Sequence, residues 1–220
     1  MDYFANLLSM LNNFVWGPPL LILLILVGIF LTIRTKGLQF QYLLYAHKLA
    51  FSKSDGNAQG DISHFEALMT ALAATIGIGS ITGVATAVAI GGLGSIFWMW
   101  IAAAVGMATK YGEAILAIQH REIDTANEMC GGPMYYIEKG LGCKWLAVLF
   151  AIFGIFASFG IGNMVQANSV SEALESFFNV NPLLSGFILF FAVAFSIIGG
   201  IKSIGKIVGI LVPAMACFYI

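Results

Sequence analysis

The stretch SHFEALMTALAATIGIGSITGVATAVAI, residues 63–90, decides the fold. As one continuous helix its 28 residues would exceed about 40 Å, longer than a bilayer core requires. In its middle sit Thr75-Ile76-Gly77-Ile78-Gly79-Ser80-Ile81-Thr82-Gly83, with three glycines and three hydroxyls where a span should be at its most apolar. Such residues are poor helix material, and at membrane depth an unwound backbone persists only where protein or a wet cavity satisfies its polar groups. A broken helix is therefore expected: residues 65–75, a gap, then residues 80–90. Carbonyls freed from the first half can replace the water shell of a cation, while N–H groups opening the second half face an anion such as a carboxylate. A competing reading makes these glycines packing surfaces only, as in the small-xxx-small pair Gly79 and Gly83. The run Gly77-x-Gly79-x-x-x-Gly83 also imitates a dinucleotide loop, but it follows no strand and lies inside an apolar segment, so nucleotide binding is not expected.

The surroundings place this stretch in a membrane. Of 220 residues, 60% are hydrophobic and only 10% charged, with a mean hydropathy of +0.92, whereas soluble domains carry about a quarter charged residues. A water-soluble enzyme is excluded. Charge-free runs cover residues 3–33, 67–109, 145–171 and 176–201, and a further one begins at residue 207. A bilayer core of about 30 Å needs roughly 20 apolar residues as helix, so the 43-residue run at 67–109 must hold two spans. These runs are continuous and not alternating, which excludes a barrel. The fold class is thus an all-α polytopic membrane protein of six spans: A (15–33), B (63–90), C (94–118), D (144–170), E (183–199) and F (205 onward). Residues 1–16 lack a basic region, and Arg34 and Lys36 follow the apolar core with no small-residue cleavage site. Span A is therefore expected to be retained and not cleaved as a signal peptide.

With the N-terminus outside, all ten Lys and Arg residues fall on the inner side: Arg34, Lys36, Lys48, Lys53, Lys110, Arg121, Lys139, Lys144, Lys202 and Lys206. The outer connections 91–93 and 171–182 contain none and carry Glu172 and Glu175. Residues 38–51 (LQFQYLLYAHKLAF) repeat apolar side chains at helical spacing but are too short to span, so an interfacial helix is expected on the inner face. Residues 52–60 read as a surface loop, and 131–142 (GGPMYYIEKGLG) as an interfacial or re-entrant turn. Cys130, Cys143 and Cys217 show no metal spacing and are expected as reduced, small apolar filler.

Span D adds a polar group at depth. Gly154, Ser158, Gly162 and Gln166 are four apart, so a small-residue face directs Gln166 into the bundle. Its amide donates and accepts, which suits an amino acid or a hydrated ion, with a structural interhelical hydrogen bond as the competing reading. Asn163, Asn168 and Ser169 fall on other faces or nearer the outside. Lys110 and Glu113, one turn apart, read as a local ion pair anchoring span C, and Glu66 as an acid at a helix N-terminus. His47, His64 and His120 lie at the inner edge. No span carries a paired Ser/His, Asp/Asp or His-x-x-x-His constellation, so an intramembrane enzyme is not expected.

Four motifs then carry a resemblance: Gly91-Gly92-Leu93-Gly94-Ser95-Ile96-Phe97-Trp98-Met99-Trp100, Gly106-Met107-Ala108-Thr109-Lys110-Tyr111-Gly112-Glu113-Ala114, Gly131-Gly132-Pro133-Met134-Tyr135-Tyr136-Ile137 and Gly160-Ile161-Gly162-Asn163-Met164-Val165-Gln166-Ala167-Asn168-Ser169. In this order they resemble the sodium:alanine (alanine or glycine:cation) symporter family. The resemblance implies a leucine-transporter-like fold: an extra first helix, then two inverted five-helix repeats whose first helices are broken. It also implies uptake of small neutral amino acids driven by sodium. Family members usually read Gly-Thr-Gly-Asn-Ile-Ala-Gly through the break, where this chain has Gly77-Ile78-Gly79-Ser80-Ile81-Thr82-Gly83. Family chains are longer, so residues 1–62 are expected to be the extra helix and an amphipathic segment. Residues 63–220 would then be the first repeat, with the second repeat missing.

The expected site follows. Substrate binds at Thr75, Gly77, Ile78, Gly79, Ser80 and Gln166, with N–H groups near Gly79 and Ser80 taking its carboxylate. Sodium binds mainly to backbone carbonyls of Ala74, Thr75 and Gly77. No cofactor is expected beyond sodium as coupling ion. The expected partners are a small neutral amino acid, sodium, the lipid bilayer and the missing repeat of the same transporter, with no nucleic acid. The expected location is the cytoplasmic membrane of a prokaryote. The rival expectation is a truncated, non-transporting membrane fragment with only a packing role.

Overall fold

The structure, a computed structural model, describes residues 2–52, 60–125 and 128–219. Lys53 and most of the expected surface loop 52–60 lie outside the described residues. The chain begins with α1 (Asp2–Val15), which the sequence reading did not foresee, and continues in nearly the same direction as α2 (Pro18–Arg34). Gly17 joins them because a Cβ there would meet the Asn13 carbonyl oxygen, and Pro18 and Pro19 open α2 where a missing N–H costs nothing. Span A is thus longer than expected, a helical run of 30 residues over Ala5–Arg34.

The interfacial segment forms two helices instead of one, α3 (Leu38–Gln41) and α4 (Leu43–Ala50), divided at Tyr42. Span B divides as expected into α5 (His64–Thr75) and α6 (Ile78–Gly91), bent by 48°. Span C is α7 (Gly94–Gln119). A two-residue hairpin follows, β1 (Glu122–Ile123) paired antiparallel with β2 (Met129–Cys130). The 131–142 motif is a helix, α8 (Pro133–Leu141), opened by proline in its first turn and closed by Gly142 in the left-handed conformation. Span D runs on past its expected end through α9 (Lys144–Ala157), a π-helical stretch (Ser158–Met164) and α10 (Val165–Phe178), 35 residues in all. The supposed outer connection therefore begins only after Phe178, where Asn179 adopts a positive φ and Asn181 caps α11 (Pro182–Ile198). Finally α12 (Gly200–Tyr219) starts five residues before the expected span F.

Among the described residues, four helical runs are long and apolar enough to cross a membrane, and the bent α5–α6 pair makes a fifth. The apolar helix α11 has 17 residues, about 26 Å, at the lower limit for a span. The protein is a multi-pass membrane protein. Its surface agrees: Trp98, Phe156 and Phe195 are each about 70% exposed (68%, 72% and 74%), and only Met69, Ala108, Ala147 and Val212 are buried apolar residues among those described. In water such a surface would aggregate.

Helices meet where residues are small. Gly28 of α2 lies against Val105 of α7, where a Cβ would stand 3.0 Å from the Val105 carbonyl oxygen. Gly205 and Gly209 of α12 lie against Ile62, Phe65 and Glu66, a Gly-xxx-Gly seam that lets α12 cross α5 closely. Between α10 and α11 the contact is polar. Ser185, fully buried, donates to the Pro182 carbonyl at 2.9 Å, which leaves the Ser171 hydroxyl to donate to Ser185 at 2.7 Å. Around the hairpin, Asp61 accepts from the Met129 N–H at 2.9 Å, and Lys139 pairs with Glu122. The expected Lys110–Glu113 ion pair is present at 3.0 Å and solvent-exposed, so it anchors without adding much stability. All three cysteines are free.

Candidate functional site

The first half of the broken span is held firmly. Ser63 caps α5 with a complete capping box: its hydroxyl accepts from the Glu66 N–H at 3.2 Å, and Glu66 Oε2 accepts from the Ser63 N–H at 2.8 Å. Glu66 is thus the N-terminal acid that the sequence suggested. At the other end the helix closes with Ile76 donating to the Leu72 carbonyl at 2.7 Å. The Thr75 hydroxyl donates to the Ala71 carbonyl at 2.9 Å.

The interruption is shorter than expected. Only Ile76 and Gly77 leave the helical path, and α6 resumes at Ile78, two residues earlier than the sequence reading placed it. Gly77 is extended, and its carbonyl accepts from the N–H groups of Ser80 at 3.0 Å and Ile81 at 3.2 Å, so it nucleates the new helix at once. The Ser80 hydroxyl reaches back to the Thr75 carbonyl at 2.6 Å, a strap across the break. Ile78, Gly79 and Ser80 therefore form the first turn of α6, where the helix dipole is positive and the N–H groups before Ser80 have no intrahelical acceptor.

Gln166 reaches this turn. Its Oε1 accepts from the Ile78 N–H at 3.2 Å across 88 residues of sequence. A Cβ on Gly77 would stand 3.4 Å from Gln166 Nε2 and 3.5 Å from Oε1, so the glycine gives the amide room to approach. In an unbroken helix the Ile78 N–H would serve the Ala74 carbonyl; given to Gln166, it leaves that carbonyl without its usual donor. Of the expected cation ligands, Ala74 thus presents a carbonyl relieved of its regular partner. That of Thr75 accepts the Ser80 hydroxyl and keeps a lone pair, whereas that of Gly77 already accepts two N–H groups and has none to spare for a cation. The structure brings Thr75, Gly77, Ile78, Ser80 and Gln166 together. Gly79 and Gly83 instead look onto open space, with nothing within 4 Å of where a Cβ would be. Packing does not account for these two glycines among the described residues.

The π-helical stretch corrects the face argument for span D. Hydrogen bonds to the fifth residue replace those to the fourth over Ser158–Met164, so the regular four-residue spacing does not carry through. Ser158, Gly162 and Gln166 still line a common groove against α11, of about 860 Å³, but Asn163 joins them and Gly154 does not. Only Gly160 and Gly162 signalled this loosening in the sequence. No charged side chain occurs from 67 to 109, so charge at the break comes from the ends of the two half-helices.

Comparison with known proteins gives a consistent picture. The model of the sodium:alanine symporter family matches residues 1–220. The chain is 60% identical to the sodium/alanine symporter AgcS of Methanococcus maripaludis, over 99% of this chain and 49% of that protein. It is 50% identical to an uncharacterized transporter of Haemophilus influenzae, over 98% of this chain and 47% of that one. It is 40% identical to the amino-acid carrier protein AlsT of Bacillus subtilis, over 100% of this chain and 46% of that one. The chain spans about half the length of the curated relatives it matches.

Proposed function

Since the chain belongs to the sodium:alanine symporter family, we propose that it forms the first half of a transporter driving uptake of small neutral amino acids with sodium. In this reading residues 1–62 are an extra helix with an interfacial segment, and residues 63–220 are the first of two inverted repeats in a leucine-transporter-like fold. The protein is a carrier and not an enzyme, sits in the cytoplasmic membrane with its N-terminus outside, and uses no cofactor besides the coupling ion. One observation carries the proposal. At the broken span, a helix N-terminus is met by a side-chain amide that donates and accepts, Gln166 on Ile78.

The chemistry follows from the two half-helices. The start of α6 around Gly79, where the helix dipole is positive, takes the substrate carboxylate. Gln166, already placed against this turn, offers its amide to the same substrate. Carbonyls of Ala74 and Thr75 replace part of the hydration shell of sodium, beside the carboxylate and of opposite charge. Binding the two together lowers the cost of burying either alone, and that is the physical basis of coupling. The open face at Gly79, in the first turn of α6, leaves room for a small substrate.

The test is uptake of alanine or glycine into vesicles carrying the full-length transporter. Uptake should require a sodium gradient and fall at least tenfold in Gln166→Ala. Uptake indifferent to sodium would refute the coupling, and uptake unchanged in the variant would refute the role of Gln166.

A further inference from the structure

Away from the broken span, the interfacial helices leave a hollow that the transport reading does not use. It lies where α3 and α4 meet the inner end of α7, has a volume of about 430 Å³, and is lined by Leu38, Tyr42, Tyr45, Ala46, Leu49 and Tyr111 among others. The segment is tethered above it. Gln39 Nε2 donates to the Thr32 hydroxyl at 2.9 Å, and that hydroxyl in turn donates to the Gly28 carbonyl at 2.8 Å. The hollow's lining is apolar apart from amide and phenol groups, and tyrosines are the side chains that settle where acyl chains meet headgroups.

Charge fixes what kind of molecule fits. Residues 34–52 contain Arg34, Lys36 and Lys48 and no acidic residue. Lys36 occupies the tight turn after α2 with a positive φ, and Lys48 sits in the last turn of α4, so basic groups flank both ends of the segment. A basic interfacial helix attracts anionic lipid, and an apolar hollow beside it accepts a hydrocarbon chain. We propose that this hollow is a binding site for one anionic phospholipid, with its acyl chain between α4 and Tyr111 and its headgroup drawn by the positive charge of Arg34, Lys36 and Lys48 at the two ends of the segment. The site rests on neither the substrate nor the coupling ion proposed above.

The experiment is native mass spectrometry of the full-length protein in detergent, titrated in turn with phosphatidylglycerol and phosphatidylcholine. Each basic residue near an anionic headgroup contributes roughly fivefold in affinity. The first phosphatidylglycerol should therefore bind at least tenfold more tightly than phosphatidylcholine. The triple variant R34Q/K36Q/K48Q should reduce that preference below threefold, whereas K139Q/K144Q/K202Q, on other elements of the same side, should keep it. Ala46→Trp, which fills the hollow while leaving every charge in place, should weaken both lipids by the same factor. A wild-type preference below tenfold, a preference that survives the first triple variant or is lost in the second, or unchanged binding in Ala46→Trp would each overturn the proposal.

Discussion

The two halves of the broken span contain glycine-rich or small-residue surfaces of opposite kinds. The α5 half is capped at Ser63, closed at Ile76 and covered by α12 through Gly205 and Gly209, where added side chains would strike Ile62 or Glu66. The α6 half carries its own glycines, Gly79 and Gly83, with nothing near them. Glycine on one side serves close helix packing, and on the other leaves backbone reachable. A single span thus divides its labour: one half is packed against α12, and the other leaves its backbone open.

That contrast can be broken by substitution. Gly205→Leu should cause the largest loss of stability, because an added Cβ alone would stand 3.1 Å from Ile62 and 3.4 Å from Glu66, and the full side chain would wedge α12 off α5. A loss of about 3 kcal/mol is expected, read as a lower midpoint of thermal unfolding in detergent. Ser63→Ala should cost less, about 1 kcal/mol by the same measurement, because it removes the capping box but leaves the packing intact. Gly83→Ala should cost nothing measurable and can add up to about 1 kcal/mol through helix propensity, since the new methyl meets no neighbour. If Gly83→Ala destabilises as much as Gly205→Leu, the open face of α6 is a packing face after all and the contrast fails.

Much of this was legible in the sequence because the bilayer imposes long charge-free runs. The six expected spans correspond to α2, the α5–α6 pair, α7, the α9–α10 run, α11 and α12. The break was located from glycine and hydroxyl content but made too wide. Composition marks residues that tolerate unwinding, whereas the actual gap depends on one extended residue, Gly77, whose carbonyl restarts the helix immediately. Gln166 was found by depth and spacing. Its partner was not, because a hydrogen bond across 88 residues leaves no local signal. The π-helical turn was likewise hidden, since a slip from fourth- to fifth-residue bonding needs only loosely packed backbone around Gly160 and Gly162. Helix α1 was missed because its polar residues Asn6, Asn12 and Asn13 interrupt the apolar run without adding charge.

The most direct test of the central claim is equilibrium binding of alanine to the full-length transporter in sodium and in potassium, comparing wild type with Gln166→Ala and Gly83→Ala. Losing a hydrogen bond to a charged ligand in a desolvated site corresponds to roughly ten- to a hundredfold in Kd. The account predicts sodium-dependent binding that weakens by that factor in Gln166→Ala and stays within about twofold in Gly83→Ala. Gln166→Ala binding alanine as tightly as the wild type, or binding as tight in potassium as in sodium, would contradict it.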